Sequence, residues 1–155
     1  MTRFRLPDER GWSLIELSVV LLILAVLIGI AIPTFLGMRQ RFQDTAARHS
    51  AVLAVKAAVP LSVSRGQMFG GVTTGALNAA EPSLTFVDGT QPSTSFTVVS
   101  QVVAVGDSIF VAAVRSTSGT CFMIRHQAAG SDFAATSVPT CKAADYSAVT
   151  FGPTW

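Results

Sequence analysis

A thiol and an imidazole lie close together in the second half of the chain, at Cys121 and His126. A cysteine beside a histidine base can act as a nucleophile. The two residues are five positions apart in a segment rich in strand-forming residues, so their side chains should point to opposite faces of a strand. A second cysteine, Cys141, offers the alternative of a disulfide, which would consume the nucleophile. We therefore predict that the protein is not an enzyme.

The acidic and histidine residues form no pattern of metal ligands in the sequence. Calcium takes about six to eight oxygen ligands, usually with several carboxylates close together. Asp132 and Asp145 are well separated with no acidic cluster around them, and His49 has no further ligand at a metal-binding spacing. The sequence also lacks a glycine-rich phosphate loop and a nucleophile-elbow serine. We predict no metal and no cofactor, and we expect His49 to be packed or half-exposed on the apolar side of its helix.

Length, charge and composition already exclude some classes of protein. The chain has 155 residues, enough for one domain and an anchor, and its net charge is +2. This charge is too small to argue for nucleic acid, and the basic residues are not grouped with aromatic ones, so no nucleic-acid partner is required. Beyond residue 60 the chain is rich in Ser, Thr, Gly, Ala and Val, which is typical of β-strands and of an exported surface.

The longest apolar segment begins near the N-terminus. No charged residue occurs from Leu17 to Met38, and a helix of about 20 apolar residues is enough to cross a bilayer. Glu16 stands just before this segment, where a carboxylate close to lipid needs a partner and indicates a function. The preceding stretch, Met1–Gly11, carries arginines, and positive residues tend to stay on the cytoplasmic side. We predict one membrane-spanning helix with its N-terminus in the cytoplasm and the rest of the chain outside it.

The order Gly11-Trp12-Ser13-Leu14-Ile15-Glu16, followed by the apolar segment, resembles the N-terminal signal of type IV pilins and type II secretion pseudopilins. In that family a membrane peptidase cuts after the glycine, and the new N-terminal residue, usually Phe, is N-methylated. Gly11, Trp12 and Glu16 match the family's glycine, methylated residue and glutamate, and Pro33 falls where the family's helix often kinks. The resemblance covers roughly the first quarter of the chain, with Trp12 in the place of Phe.

The resemblance implies a division of the chain and a set of partners. Residues 1–11 would be a leader that is removed, 12–38 the transmembrane and assembly half of a long helix, 39–60 its amphipathic half, and 61–155 a globular head. The main partner would be other copies of the chain in a helical filament. Further partners would be the prepilin peptidase/methyltransferase, the inner-membrane assembly platform, minor pilins and, before assembly, membrane lipid. The assembled protein would form an extracellular filament or stay at the cell surface.

Cleavage after Gly11 would give Trp12 a free α-amino group, and Glu16 would then have a partner of opposite charge. Together in an apolar fibre core the two groups neutralise each other, whereas either one alone would carry a large desolvation penalty. Formed between neighbouring subunits, the pair would fix their axial register. The alternative is that Glu16 reaches the lipid headgroups.

The long helix has positions where it should weaken and end. Pro33 should cause a kink or local melting within Gly29–Gly37, and Pro60 should limit the helix. In the second half, Asp44 and Arg48 are spaced as an ion pair on one side. The other side should form an apolar stripe that packs on the head, made of Phe42, Ala46, Val52, Leu53 and Val59.

Three segments of the head, 96–105, 108–115 and 120–126, have strand character. The short links Gly106-Asp107 and Ser116–Gly119 make them antiparallel neighbours. The apolar face of this sheet needs a cover, and the stripe of the long helix can supply it. The predicted fold class is α+β, a long N-terminal, partly transmembrane helix packed on a small antiparallel β-sheet head, as in pilins.

The rest of the head carries weaker signals. We expect a short helix at Thr74–Ala80, a short strand at Leu84–Val87 with a turn at Asp88-Gly89, and an edge strand at Val149–Phe151. Ala128–Thr140 contains Gly, Ser, Asp and Pro and is predicted to be a loop.

Both cysteines lie beyond the membrane segment, so export would place them in an oxidising compartment. We predict a Cys121–Cys141 disulfide that bounds a loop over 121–141 and stabilises the head by about 3 kcal/mol. Two reduced thiols are the alternative. Such a loop would resemble the disulfide-bounded loop near the C-terminus of many pilins.

The function that these observations indicate is structural. The chain would be a subunit of a type IV pilus-like filament, inserted in the membrane, cleaved after Gly11, N-methylated on Trp12 and polymerised through its apolar helix. A pseudopilin of a type II secretion system shares this assembly chemistry and stays open, as does a monomeric membrane-anchored binding domain. A plain anchor or a secretory signal peptide would not explain Gly11 and Glu16 in this order, and a secretory peptide also has a shorter apolar core.

Overall fold

The computed structural model describes residues 12–63, 66, 68–104 and 106–155, without the side chains of Thr34 and Leu36. The predicted leader, with Gly11, lies outside the described residues. The elements are helices α1 (Leu14–Val63) and α2 (Thr74–Ala80), strands β1 (Thr85–Asp88), β2 (Val98–Ala104), β3 (Ile109–Arg115), β4 (Cys121–Gln127) and β5 (Gly130–Thr136), and a 3₁₀ helix, Ala143–Ala148.

The chain divides into two compact units, one ending at Met38 and the other beginning at Arg39. The first unit is the apolar half of α1, and the second contains the other half of α1, the sheet and the remaining helices. A long apolar N-terminal helix and a five-stranded, mostly antiparallel sheet give an α+β fold, as the sequence predicts.

The apolar half of α1 stays helical where the sequence predicts a kink or local melting. All residues from Gly29 to Gly37 are helical, so local melting around Pro33 is wrong, and a kink there stays a prediction. Proline removes only one N–H donor, and a run of Leu, Ile and Ala around it keeps its own hydrogen bonds. An α-helix satisfies its backbone groups internally, which is what an apolar environment demands.

The second half of α1 packs on the sheet through alanines rather than through large side chains. The buried apolar residues of this stripe are Ala47, Ala51, Ala54, Val55 and Ala58, four of them alanines. Phe42, predicted to lie in the stripe, is 75% exposed, whereas Val52, Leu53 and Val59 are half-buried and pack at the edge of the core. Small side chains allow the helix and sheet to approach closely, so the stripe is set by the fit to the sheet and not by hydrophobicity alone.

Two further expectations for this half of α1 are wrong. The helix does not end at Pro60 but continues to Val63, where buried Ser62 donates a hydrogen bond to the carbonyl of Val59. Asp44 and Arg48 do not pair with each other. Asp44 accepts hydrogen bonds from Ser116, at 2.6 Å, and from Ser118, while the Arg48 guanidinium lies 4.9 Å from the centre of the Phe122 ring.

The sheet has the order β1-β2-β3-β4-β5, and all neighbours are antiparallel except β1 and β2. The three predicted strands are confirmed as β2, β3 and β4, and the predicted helix is confirmed as α2. Gly106 and Asp107 have φ values of 60° and 67°, which suit a type I′ hairpin turn. The strand predicted at Leu84–Val87 is β1, which runs parallel to β2. The turn predicted at Asp88-Gly89 is confirmed, since the N–H of Gln91 donates to the carbonyl of Asp88 at 2.8 Å.

The region predicted as a loop, Ala128–Thr140, contains β5, so this prediction is wrong. Its polar residues find partners on β4: Asp132 forms an ion pair with Arg125 at 2.7 Å, and Ser131 is hydrogen-bonded to Nδ1 of His126 at 2.7 Å. The edge strand predicted at Val149–Phe151 is also wrong, since only an isolated bridge between Gly152 and Phe133 forms there.

The sheet separates two apolar layers. On one face, the alanine stripe of α1 packs with side chains from β2, β3 and β4, including Val99, Phe110 and Phe122. On the other face, both cysteines pack with Val111 and Met123, near the 3₁₀ helix. The second half of α1 and the 3₁₀ helix with its flanking residues therefore cover opposite faces of one sheet.

Candidate assembly surface

The side chains of the apolar half of α1 are exposed along its length. Large hydrophobic residues from Leu14 to Phe35 are half or more exposed at most positions, and the most apolar stretch has no buried residue. Among the described residues, α1 is the one helix that is long and apolar enough to cross a membrane. Such a surface is unfavourable in water, because each fully buried Leu or Ile side chain is worth about 2 kcal/mol.

Glu16 lies in the first turn of α1, close to the predicted cleavage site. The Oγ of Ser13 accepts a hydrogen bond from the backbone N–H of Glu16 at 3.3 Å, so Ser13 caps the helix and Glu16 is its third residue. A carboxylate at this position also interacts favourably with the helix dipole. Glu16 therefore has a local structural role in addition to its predicted role in assembly.

The capping role of Ser13 was missed in the analysis of the sequence, although the signal is present. The order Ser13-Leu14-Ile15-Glu16 before an apolar run is a capping-box pattern, in which a serine and a glutamate three residues later satisfy free N–H groups. The pattern predicts where the helix begins, and α1 does begin at Leu14.

Of the other residues predicted from the resemblance, the structure describes Trp12 and Pro33 but not Gly11. Trp12 precedes the helix and is 70% exposed, while Gly11 lies outside the described residues. Cleavage after Gly11 and methylation of Trp12 stay predictions. Pro33 lies within the helical segment, and its side chain is exposed.

The predicted disulfide is present between Cys121 and Cys141, with Cα atoms 5.4 Å apart and both residues fully buried. His126 lies on the other face of the sheet, where its ring contacts Phe69 edge-on at 6.0 Å. The predicted separation of Cys121 and His126 onto opposite faces is therefore confirmed. Burial lowers the pKa of His126, because desolvation disfavours the charged imidazolium.

The acidic residues considered for calcium do not meet. Asp132 is paired with Arg125, and Asp145 lies in the 3₁₀ helix. Within the described part of the chain, no three His, Cys, Asp or Glu side chains lie close enough to hold a metal ion. His49 is exposed rather than packed or half-exposed, since it lies two residues from both Ala47 and Ala51 and so faces away from the sheet.

Comparisons with protein-family models, with curated proteins and with solved structures found no match to this chain. The class that the fold supports is an α+β protein with a membrane-length N-terminal helix and a disulfide-bonded head.

Proposed function

We propose that the protein is a structural subunit of a type IV pilus-like filament. In this proposal the chain is inserted in the membrane, cleaved after Gly11, N-methylated on Trp12 and polymerised through residues 12–38. The observation that carries the proposal is the uncovered apolar half of α1, which begins next to the Gly11-Trp12-Ser13-Leu14-Ile15-Glu16 signal.

An apolar helix of this kind has two stable surroundings, the lipid of a bilayer or the helices of other copies. A subunit that uses first one and then the other can be stored in the membrane and assembled later with little change in its apolar contacts. The second half of α1, the sheet and the disulfide belong to one compact unit, so the proposed assembly through residues 12–38 leaves that unit folded.

Glu16 gives this assembly a register. The α-amino group released at Trp12 would pair with the carboxylate of a neighbouring copy, because both groups lie at the start of α1 and neither is stable alone in an apolar core. The partners in this proposal are other copies, the prepilin peptidase/methyltransferase, the assembly platform and minor pilins.

A pseudopilin of a type II secretion system is the second candidate, favoured by the same signal and helix. It differs in task and not in assembly chemistry. A monomeric membrane-anchored binding domain would use the helix as an anchor only, and Glu16 would then serve only the start of α1.

The test is the intact mass of the protein recovered from its native cells. We expect the mass of residues 12–155 with one added methyl group, lower by two hydrogen atoms for the disulfide. A mass that retains Met1–Gly11 would favour a plain anchor, and one that begins beyond Ala31 would indicate an ordinary secreted protein. Either result would overturn the proposal.

A further inference from the structure

Both edges of the five-stranded sheet are contacted by groups that do not belong to a strand. Edge strands present unpaired N–H and C=O groups, and these can pair with a strand of another chain. At the β1 edge the contacted residue is Phe86, and at the β5 edge it is Phe133. The two contacts are independent, since β1 and β5 lie at opposite ends of the sheet.

The β1 contact is made by Asn78 of α2. Thr85 donates its N–H toward the β2 side, to the carbonyl of Thr97, so the next residue directs its backbone groups away from β2. The Oδ1 of Asn78 accepts the N–H of Phe86 at 2.8 Å, and the Nδ2 of Asn78 donates to the carbonyl of Phe86 at 3.4 Å. A side-chain amide offers the same donor and acceptor as a peptide group. Asn78 therefore occupies the position that a residue of an added strand would take.

Both partners of this contact are held in place. Leu77, next to Asn78, is fully buried, and α2 is capped by Thr73, whose Oγ1 accepts the N–H of Ala76 at 3.2 Å. The side chain of Phe86 is buried in the core on the α1 face of the sheet. The hydrogen-bonded pair is thus a fixed part of the fold.

The β5 contact is made by the C-terminal segment. Phe133, the central residue of β5, donates its N–H to the carbonyl of Gly152 and accepts the N–H of Gly152, both at 2.8 Å. Trp155 holds this segment against the sheet, with its ring centre 5.0 Å from that of Phe133 and 5.4 Å from that of Phe122.

We propose that Asn78 and the segment Gly152–Trp155 are edge guards, which stop the heads of two copies of this chain from pairing by strand addition. Each guard takes both backbone groups of one central position, so an incoming strand would have to displace it. The guards would prevent strand pairing between heads wherever the chain is locally concentrated, in the membrane or elsewhere. This proposal does not rest on the proposal of filament formation.

The test uses the full chain in detergent micelles and compares Asn78→Ala with the wild type. Alanine is a better helix former than asparagine, so the change does not weaken α2. We expect the Phe86 amide to exchange with solvent roughly 3- to 10-fold faster, as the loss of one hydrogen bond predicts. In a Thr85→Cys background, which places a thiol at an exposed position of β1, we expect Asn78→Ala to form more disulfide-linked dimers than the parent that keeps Asn78.

Ala79→Ser is the matched control, because residue 79 is exposed on the same helix. It should leave exchange and cross-linking unchanged. Asn78→Asp keeps the acceptor of the 2.8 Å bond and loses the donor, so its Phe86 exchange should lie between the wild type and Asn78→Ala. Wild-type exchange in Asn78→Ala, or faster exchange without more cross-linked dimers than in the control, would overturn the proposal.

The second guard is tested in the same way with Gly152→Pro, which removes the N–H donated to Phe133. Thr154→Ala, at an exposed residue of the same segment, is its control. We expect faster exchange of the Phe133 amide and more dimers linked through Ala135→Cys, an exposed position of β5. Equal cross-linking in the variant and the control would contradict a guarding role for this segment.

Discussion

Glu16 combines two roles that substitution can separate. Its backbone N–H is bound by Ser13, and its position in the first turn suits a negative charge. Its proposed partner in assembly is the amino group of Trp12 in another copy. Glutamine can occupy the same position of a capping box but carries no charge, whereas alanine removes both features.

We predict that Glu16→Gln keeps the protein in the membrane but abolishes its recovery in sheared filaments, since an uncharged side chain cannot neutralise an ammonium group in an apolar core. Ser13→Ala should assemble, because it loses only the cap, at a cost of about 1 kcal/mol. The measurement is the ratio of filament to membrane protein at equal expression. Normal filaments from Glu16→Gln would contradict the assembly role and leave capping as the function of this residue.

The lowered pKa of His126 predicts that the stability of the head depends on pH. Burial lowers its pKa from the ordinary value of 6.5, so the unfolded chain binds the proton more tightly than the folded one. The free energy of unfolding should therefore fall as pH drops through about 6.5 and level off below the folded pKa. The pKa of Asp88 is also lowered, chiefly by the backbone N–H of Thr90, but that carboxyl acts only near pH 4 and below, roughly.

We predict that His126→Gln removes the decrease in stability between about pH 7 and pH 5 while keeping a polar partner for Ser131. The midpoint of urea unfolding of the full chain in detergent, followed by Trp fluorescence, measures this across the pH range. His49→Gln is the control, since that residue is exposed. An unchanged pH profile in His126→Gln would show that another group is responsible.

At the scale of elements, α1 joins two kinds of helix surface in one run of hydrogen bonds. Its first half exposes large apolar side chains, and its second half buries a stripe of alanines. The exposed apolar half could be predicted from the sequence, because its length and the absence of charge define it. The alanine stripe could not be predicted in this way. Ala47 and Ala51 are buried because the helix lies close to the sheet, and no periodicity of large apolar residues marks their positions.

The strands show the same division. β2, β3 and β4 are rich in β-branched residues and are predictable by their own pattern. β5 has the sequence Gly-Ser-Asp-Phe-Ala-Ala-Thr and becomes a strand because Ser131 and Asp132 find partners on β4. The role of Asn78 could not be predicted from the sequence either, because its partner is the backbone of Phe86, eight positions away. Local composition contains no information about such tertiary partners.

At the scale of the whole molecule, the disulfide joins the start of β4 to the segment that follows β5. The two cysteines are 20 residues apart and lie in the apolar layer opposite α1, beside Val111 and Met123. The carbonyl of Cys141 also accepts the N–H of Ser93 at 2.8 Å, so this segment is tied to the connection that leads into β2. The disulfide and this hydrogen bond therefore both hold the segment around Cys141 in place.

We predict that the double variant Cys121→Ala/Cys141→Ala loses about 3 kcal/mol or more of unfolding free energy, since the unfolded chain gains the entropy of an open loop and the buried sulfur atoms leave space behind. Urea unfolding of the full chain in detergent measures the loss.

The wild type should keep its stability after brief exposure to a reductant without denaturant, because both sulfur atoms are buried. Cleavage after Gly11 should proceed in the variant as in the wild type, since residues 1–38 are unchanged, and the intact mass reports this separately. A loss below about 1 kcal/mol would mean that the layer opposite α1 is held by its apolar contacts and hydrogen bonds, with the disulfide adding little.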